Sequence, residues 1–220
     1  MSFQPSLKYP NPERYTCSMK KILILFAHPR YEKSRTNKAL LAGLQGQDGI
    51  TVHDLYELYP DFNVDAAREQ ELLLAHQIIV WHYPLFLYGA PAMVKQWMDL
   101  VLEHGWAHGA GGNHLEDKQV FATITSGGSR ESYSHSGFNR HTMPELLYPL
   151  KQAAHLCRMT WLPPFVVQGT YRLTDDLLAD CGNQYRQVLL RLAQSPPLKS
   201  VRGYDFLNDW IADLNRKEQP

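Results

Sequence analysis

The sequence lacks most of the signatures by which a chain of this size would announce a nucleotide, a metal or a nucleic acid. It contains neither G-x-G-x-x-G nor G-x-x-x-x-G-K-[ST], so a dinucleotide-binding Rossmann turn and a P-loop both fit poorly. It has no G-x-S-x-G elbow to present a hydrolase serine. Its three cysteines, Cys17, Cys157 and Cys181, are odd in number and show no C-x-x-C spacing, which argues against a disulfide framework or a thiolate zinc site and suits a reducing compartment, the cytosol. His104 and His108 are spaced i, i+4, but Gly105 and Gly109 break the helix that such a pair needs, and no metal is expected. Neither sign of charge is in excess, with 22 Lys+Arg against 22 Asp+Glu and no basic run interleaved with aromatics, so nucleic acid drops out as a partner. No run of about 18 apolar residues could span a bilayer. The first nineteen residues hold three prolines and no apolar h-region, and read as a disordered leader, 1–19.

What is present is a regular alternation. With 220 residues at 44% hydrophobic the chain can bury a sizeable core, and one large domain fits better than two. Short β-branched and apolar runs at 21–27 (KILILFA), 50–56, 77–83, 119–125 and 162–168 alternate with helical patterns near 35–45, 66–75, 91–103, 144–157 and 175–193. Strands that are apolar along their whole length, alternating with helices, imply an α/β fold with a five-stranded parallel sheet covered on both faces. Five such units fit the doubly wound order 2-1-3-4-5, in which ligands bind beyond the carboxyl ends of strands 1 and 3. A receiver-domain switch of the same topology would want an Asp where His82 and Tyr83 stand.

That order brings three loops together: 28–37, 83–90 and 125–133. In AHPRYEKSRTN, Ser34, Thr36 and Asn37 can cap a helix whose free N–H groups face an anion such as a phosphate, although plain capping explains the same residues. YPLFLYGAP places Tyr83, Phe86 and Tyr88 at a mouth where a flat ring system could stack, or where they could roof a core or a dimer contact. TITSGGSRESY follows Thr125 and Ser126 with Gly127 and Gly128 and then Tyr133. Paired glycines let backbone amides approach a ligand edge, though alone they are an ordinary turn.

Taken in order, ILFAHP, SRTNKAL, ITVHDLYELYPDFNVDAAREQELL, IIVWHYPLFLYGAPAMVKQWMD, ITSGG and CRMTWLPP cover residues 20 to about 193 and resemble the flavodoxin-like NAD(P)H:quinone oxidoreductases. Within that family the chain is most similar to the ancillary proteins of glutathione-gated Kef potassium efflux systems. GAGGN, FNRHTMPELL and HLCRMTW place it nearer the form paired with the KefB transporter. The resemblance implies FMN, with FAD as the alternative, and NAD(P)H as co-substrate. It puts His28, Ser34, Arg35, Thr36 and Asn37 around the flavin phosphate and ribityl chain. Tyr83, Pro84, Leu85 and Phe86 would flank the ring, and Thr125, Ser126, Gly127 and Gly128 would meet its pyrimidine edge. Tyr133 falls in register with the family's relay tyrosine, whereas the relay histidine position reads Asn139. His135 and His141 lie near enough in sequence to substitute, or are solvated surface histidines.

The activity implied is two-electron, ping-pong reduction of a quinone, with the Gly127 and Gly128 amides and Tyr133 stabilising charge on the reduced ring. A flavin- or nucleotide-binding regulatory subunit without turnover is the alternative. Related enzymes are homodimers, and HGWAHGAGGNH, residues 104–114, suits a pocket rim shared with a second copy. The expected location is cytoplasmic, with peripheral attachment at the inner face of the inner membrane left open through a Kef-type transporter. The expected organisation is a leader at 1–19, a flavin domain at 20–194 and an amphipathic tail at 195–220. In the tail, Phe206, Leu207, Trp210, Ile211 and Leu214 fall on one helical stripe with Asn208, Asp209 and Asp213 opposite, so the stripe is expected to dock on the body, a second copy or the transporter.

Overall fold

The computed structural model describes residues 19–218, so the expected leader falls, but for Met19, outside the described residues. Strand β1 (Ile22–Phe26) is buried along its whole length because its alternate side chains enter two different cores. Leu23 and Leu25 join one, and Ile22, Ile24 and Phe26 join the other. The chain continues through α1 (Arg35–Leu41), β2 (Ile50–Asp54), α2 (Leu55–Leu58), α3 (Ala66–Ala75), β3 (Ile78–Pro84), α4 (Ala92–Val101) and β4 (Gln119–Thr125). It finishes with α5 (Met143–Leu146), α6 (Tyr148–Leu156), β5 (Thr160–Trp161), β6 (Phe165–Val167), α7 (Asp175–Ala193), α8 (Leu198–Arg202) and α9 (Leu207–Glu218). All pairings are parallel, in the order β2-β1-β3-β4-β5.

The doubly wound order is as the alternation implies, but its last strand comes in two pieces. β5 pairs with Gln119 and Val120 at the start of β4, while β6 pairs with Thr123, Ile124 and Thr125 at its end. Between them stand Pro163 and Pro164, which carry no N–H for a ladder. Three other boundaries move for local reasons. The second strand stops at Asp54 because its carboxylate accepts from the amides of Tyr56 (3.1 Å) and Glu57 (3.3 Å) and starts α2. α1 ends at Leu41, two residues before Gly43, whose φ of +70° takes the chain out of the helix. The expected helix at 144–157 is two, meeting at Leu147 just before Pro149.

The sheet separates the two cores. Leu73, Trp81, Met93, Trp97 and Leu150 fill one under α3, α4 and α6; Leu40, Phe121, Tyr185, Leu189 and Trp210 fill the other under α1, α7 and α9. The C-terminal stripe therefore docks on the chain's own body. Leu207, Trp210 and Ile211 are buried in the second core, each worth roughly 1.5–3 kcal/mol of burial. Asn208, expected on the open face, instead donates to the Val166 carbonyl (3.1 Å) and accepts from its amide (2.8 Å), closing the outer edge of β6.

Candidate functional site

At the carboxyl edge of the sheet one buried side chain ties the first loop to β3 and to the end of β4. Asn37, in the first turn of α1, donates from its amide nitrogen to Ser34 Oγ (2.9 Å) and to Thr125 Oγ1 at the end of β4 (3.3 Å). Its carbonyl oxygen accepts from His82 Nε2 on β3 (2.9 Å). Tyr185 on α7 lies 3.4 Å from His82 Nδ1, so the imidazole donates on one side and accepts on the other. Burial, with the nearby His28 adding to it, pushes the His82 pKa down to about 3, which keeps the ring neutral as this hydrogen-bonding pattern requires. Sequence reading missed His82 and Tyr185, because their role depends on partners 45 and 103 residues away.

The first loop then offers His28. Its Nδ1 accepts from the Arg30 amide (3.0 Å), and burial pushes its pKa down, so the neutral ring carries its proton on Nε2 as a donor. Its ring meets Phe86 of the second loop edge-to-face at 5.9 Å. Ser34 caps α1 through the Asn37 amide (3.2 Å), and Thr36 is buried beside it. Arg35 turns the other way, pairing with Asp175 at the start of α7 (2.5 Å).

The second loop is a two-residue hairpin. Phe86 and Gly89 exchange both backbone hydrogen bonds at 3.0 Å, and the central residues Leu87 and Tyr88 hold φ of 45° and 64°. That is the conformation Asn-Gly prefers, here occupied by two bulky residues. Strain of this kind persists where surroundings or function demand it. Phe86 and Tyr88 are half-exposed and Leu87 is 95% exposed. Pro84 ends β3, and the Leu85 amide donates to the Thr125 carbonyl (2.9 Å). Tyr83 lies wholly inside the core, its hydroxyl without a hydrogen-bond partner among the described residues, so only its backbone is at the loop.

In the third loop the Ser126 amide donates to the Val167 carbonyl (2.9 Å), and its hydroxyl donates to the Gly128 carbonyl (3.2 Å). Neither glycine has room for a side chain as the loop stands: a Cβ on Gly128 would lie 2.8 Å from Tyr133 Cε2, and one on Gly127 would strike the ring of Tyr171. The half-buried Tyr133 phenol is pushed up by burial, offset in part by the Ser126 hydroxyl. Tyr171, 89% exposed on the loop after β6, was not expected from the sequence. Its loop reaches the third one through Gly169 N–H to Gly128 O (2.8 Å) and Thr170 N–H to Ser126 O (3.2 Å). The buried Gln168 side-chain nitrogen, beside them in the chain, has no hydrogen-bond partner among the described residues. An aromatic two residues past a glycine at a strand end was the available signal, but it follows the last strand rather than the switch point.

Asn139 joins the site by accepting from the Tyr88 hydroxyl (3.1 Å). The two histidines do not. His135 Nε2 lies 2.9 Å from Glu145 and His141 Nδ1 lies 3.9 Å from it, both exposed at the capping box that starts α5. His104 and His108 are ring neighbours at 5.7 Å, and no group of three or more metal-ligating side chains occurs among the described residues.

A family described as a flavodoxin-like fold matches residues 20–189. A glutathione-regulated potassium-efflux system ancillary protein KefG of Pectobacterium atrosepticum is 43% identical over 77% of this chain and 92% of its own. Among solved structures, general stress protein 14 of Treponema denticola in complex with FMN superposes with a TM-score of 0.75 at 32% identity, covering 78% of this chain and 99% of its own. An NADPH-quinone reductase from P. pentosaceus gives 0.70 at 29% identity, covering 76% and 96%.

Proposed function

The chain belongs to the flavodoxin-like fold family, and from that premise we propose that it is an FMN-dependent NAD(P)H:quinone oxidoreductase serving as ancillary protein to a Kef-type potassium efflux system. The observation that carries this reading is Asn37 joining the first loop to the ends of β3 and β4, with a glycine pair between two tyrosines in the loop that follows β4. A flat ring edge fits there because nothing larger than hydrogen projects from Gly127 or Gly128, and Tyr171 stands where it can move aside, being 89% exposed. A bound flavin supplies the two-electron redox chemistry.

The chain's own residues bind, orient and donate. His28 Nε2–H and the polar side chains at the start of α1 suit a phosphate, and the Gly127 and Gly128 amides suit a developing oxyanion. Tyr133, with its phenol raised by burial, stays protonated and serves as hydrogen-bond donor to that charge. Phe86, Leu87 and Tyr88 present an apolar wall to a planar acceptor. FMN rather than FAD is supported by the FMN held in the Treponema denticola relative.

A homodimer is part of the proposal. An apolar groove of about 750 Å³ runs between α4 and α6, lined by Val94, Met98, Leu102, Leu150 and Leu156, with Tyr88 at its rim. A second copy seated there would wall the same mouth. No helix among the described residues is long and apolar enough to cross a membrane, so membrane association would come through the transporter.

The purified protein should be yellow, release FMN on heating and bleach with NADH or NADPH, regaining colour when quinone is added. Tyr133→Phe should retain the flavin and lower quinone turnover about 10- to 100-fold, below a general acid's usual effect because the phenol acts as a hydrogen-bond donor. A colourless protein that takes up no FMN overturns the proposal. Bound FMN without bleaching leaves a binding-only regulator.

A further inference from the structure

The family match ends at residue 189, and α9 lies wholly beyond it. Two consecutive residues of that helix nevertheless hold the two loops that bracket Gly127. Asn208 pairs with both backbone groups of Val166 on β6, the strand that feeds the Gly169–Tyr171 turn, and that turn bonds Ser126 and Gly128. Asp209 takes the Arg130 guanidinium in two parallel hydrogen bonds, 3.1 and 2.8 Å, and the same guanidinium lies 4.7 Å over the Phe206 ring. Arg130 stands two residues after Gly128, and its carbonyl accepts the Tyr133 amide (3.1 Å). The pair fixes the turn from which Tyr133 leans on Gly128.

We propose that α9 is a positioning element of the site, with Asp209 acting through Arg130 to order the loop 126–133, so that flavin affinity depends on a helix outside the family's common core. The flavin part rests on the function proposed above; the ordering of the loop does not. Both partners are partly exposed, and such a pair adds little to global stability, so its effect is local. The bidentate fork over an aromatic face is a geometry that Lys cannot reproduce.

Hydrogen exchange on the flavin-free full chain tests it directly, together with titration of FMN. Asp209→Asn should raise amide exchange across 126–133 by about tenfold while the β1, β3 and β4 amides stay protected, as expected of a local opening. The dissociation constant for FMN should rise roughly 3- to 10-fold with the melting temperature nearly unchanged, the pair being surface-exposed. Arg130→Gln should do the same, Arg130→Lys should not restore order, and the double variant should be no worse than either single one, since both remove one interaction. Unchanged exchange in 126–133 overturns the proposal, as does loosening spread over the whole of α9 and the second core. Raised exchange in a chain whose unsubstituted form binds no FMN would sink the flavin reading and the affinity half of this inference, and leave the loop clamp standing.

Discussion

At the scale of single residues, the most consequential charge outside the site is Glu69. It is wholly buried and accepts from His53 Nε2 (2.7 Å), Tyr59 Oη (2.7 Å) and Trp97 Nε1 (2.8 Å), tying β2, α3 and α4 into one network. Burial, the largest single influence, pushes its pKa up, but the three donors, His53 foremost, outweigh it and hold the carboxylate below its usual range. A depressed folded-state value contributes stability above the unfolded value, near 4.3, which is lost as pH falls through the folded value. Glu69→Gln turns an N–H₂ toward one of the donors and should cost about 2–4 kcal/mol at neutral pH. In a chain of this size that is a fall of roughly 5–15 °C in melting temperature. The variant should also lose part of the acid-side decline below about pH 4. Thermal melts from pH 3 to pH 7 check both; a variant with the parent's melting curve at every pH would remove Glu69 from the stabilising set.

At the scale of elements, the hairpin at 86–89 holds the clearest conflict between local preference and observed structure. Leu87 is 95% exposed in a left-handed conformation, so its side chain contributes nothing to the core and its backbone is strained. Leu87→Asn should stabilise the protein by about 0.5–1 kcal/mol and raise the quinone KM, because the apolar wall is lost while the turn is relaxed. Unchanged KM would place Leu87 outside the acceptor's path. The same scale shows what the sequence made legible. Apolar runs located β1, β3 and β4, and α3 and α7 have the bounds that periodicity gives. What escaped was set by single residues acting locally or by distant partners. Pro163 and Pro164 divide the last strand, and Asp54 starts a one-turn helix. The tail's stripe was readable from its period, but Asn208 and Asp209 read as solvated because Val166 and Arg130 stand 42 and 79 residues away. Among the loops, the glycine pair and Tyr133 stand out by chemistry alone, whereas His82 and Tyr171 look like core and surface and their contacts are made only by the fold.

At the scale of the whole molecule, the proposed homodimer turns on the groove between α4 and α6. Val94, Met98 and Leu102 recur at helical spacing on one wall, and Leu146, Leu150 and Leu156 line the other; Leu156 is 55% exposed. In the proposed homodimer a two-fold contact would set α4 and α6 of one copy against the same pair in the other. Lys95 and Asp99, paired with each other along α4, rim the groove with compensated charge and leave its floor apolar. Leu156→Glu would then place two unpaired carboxylates at the contact, each costing several kcal/mol to desolvate. The expected result in sedimentation velocity at micromolar concentration is a dimer for the parent chain and a monomer for Leu156→Glu. The monomer's own melting temperature should be little changed, because Leu156 already faces water within one chain. FMN should stay bound, since the loops at 28–37 and 125–133 proposed to hold it come from a single chain. Quinone turnover should fall, because Tyr88 at the groove's rim loses the wall opposite it. A Leu156→Glu chain that sediments with the parent would show that the groove is not where two copies meet.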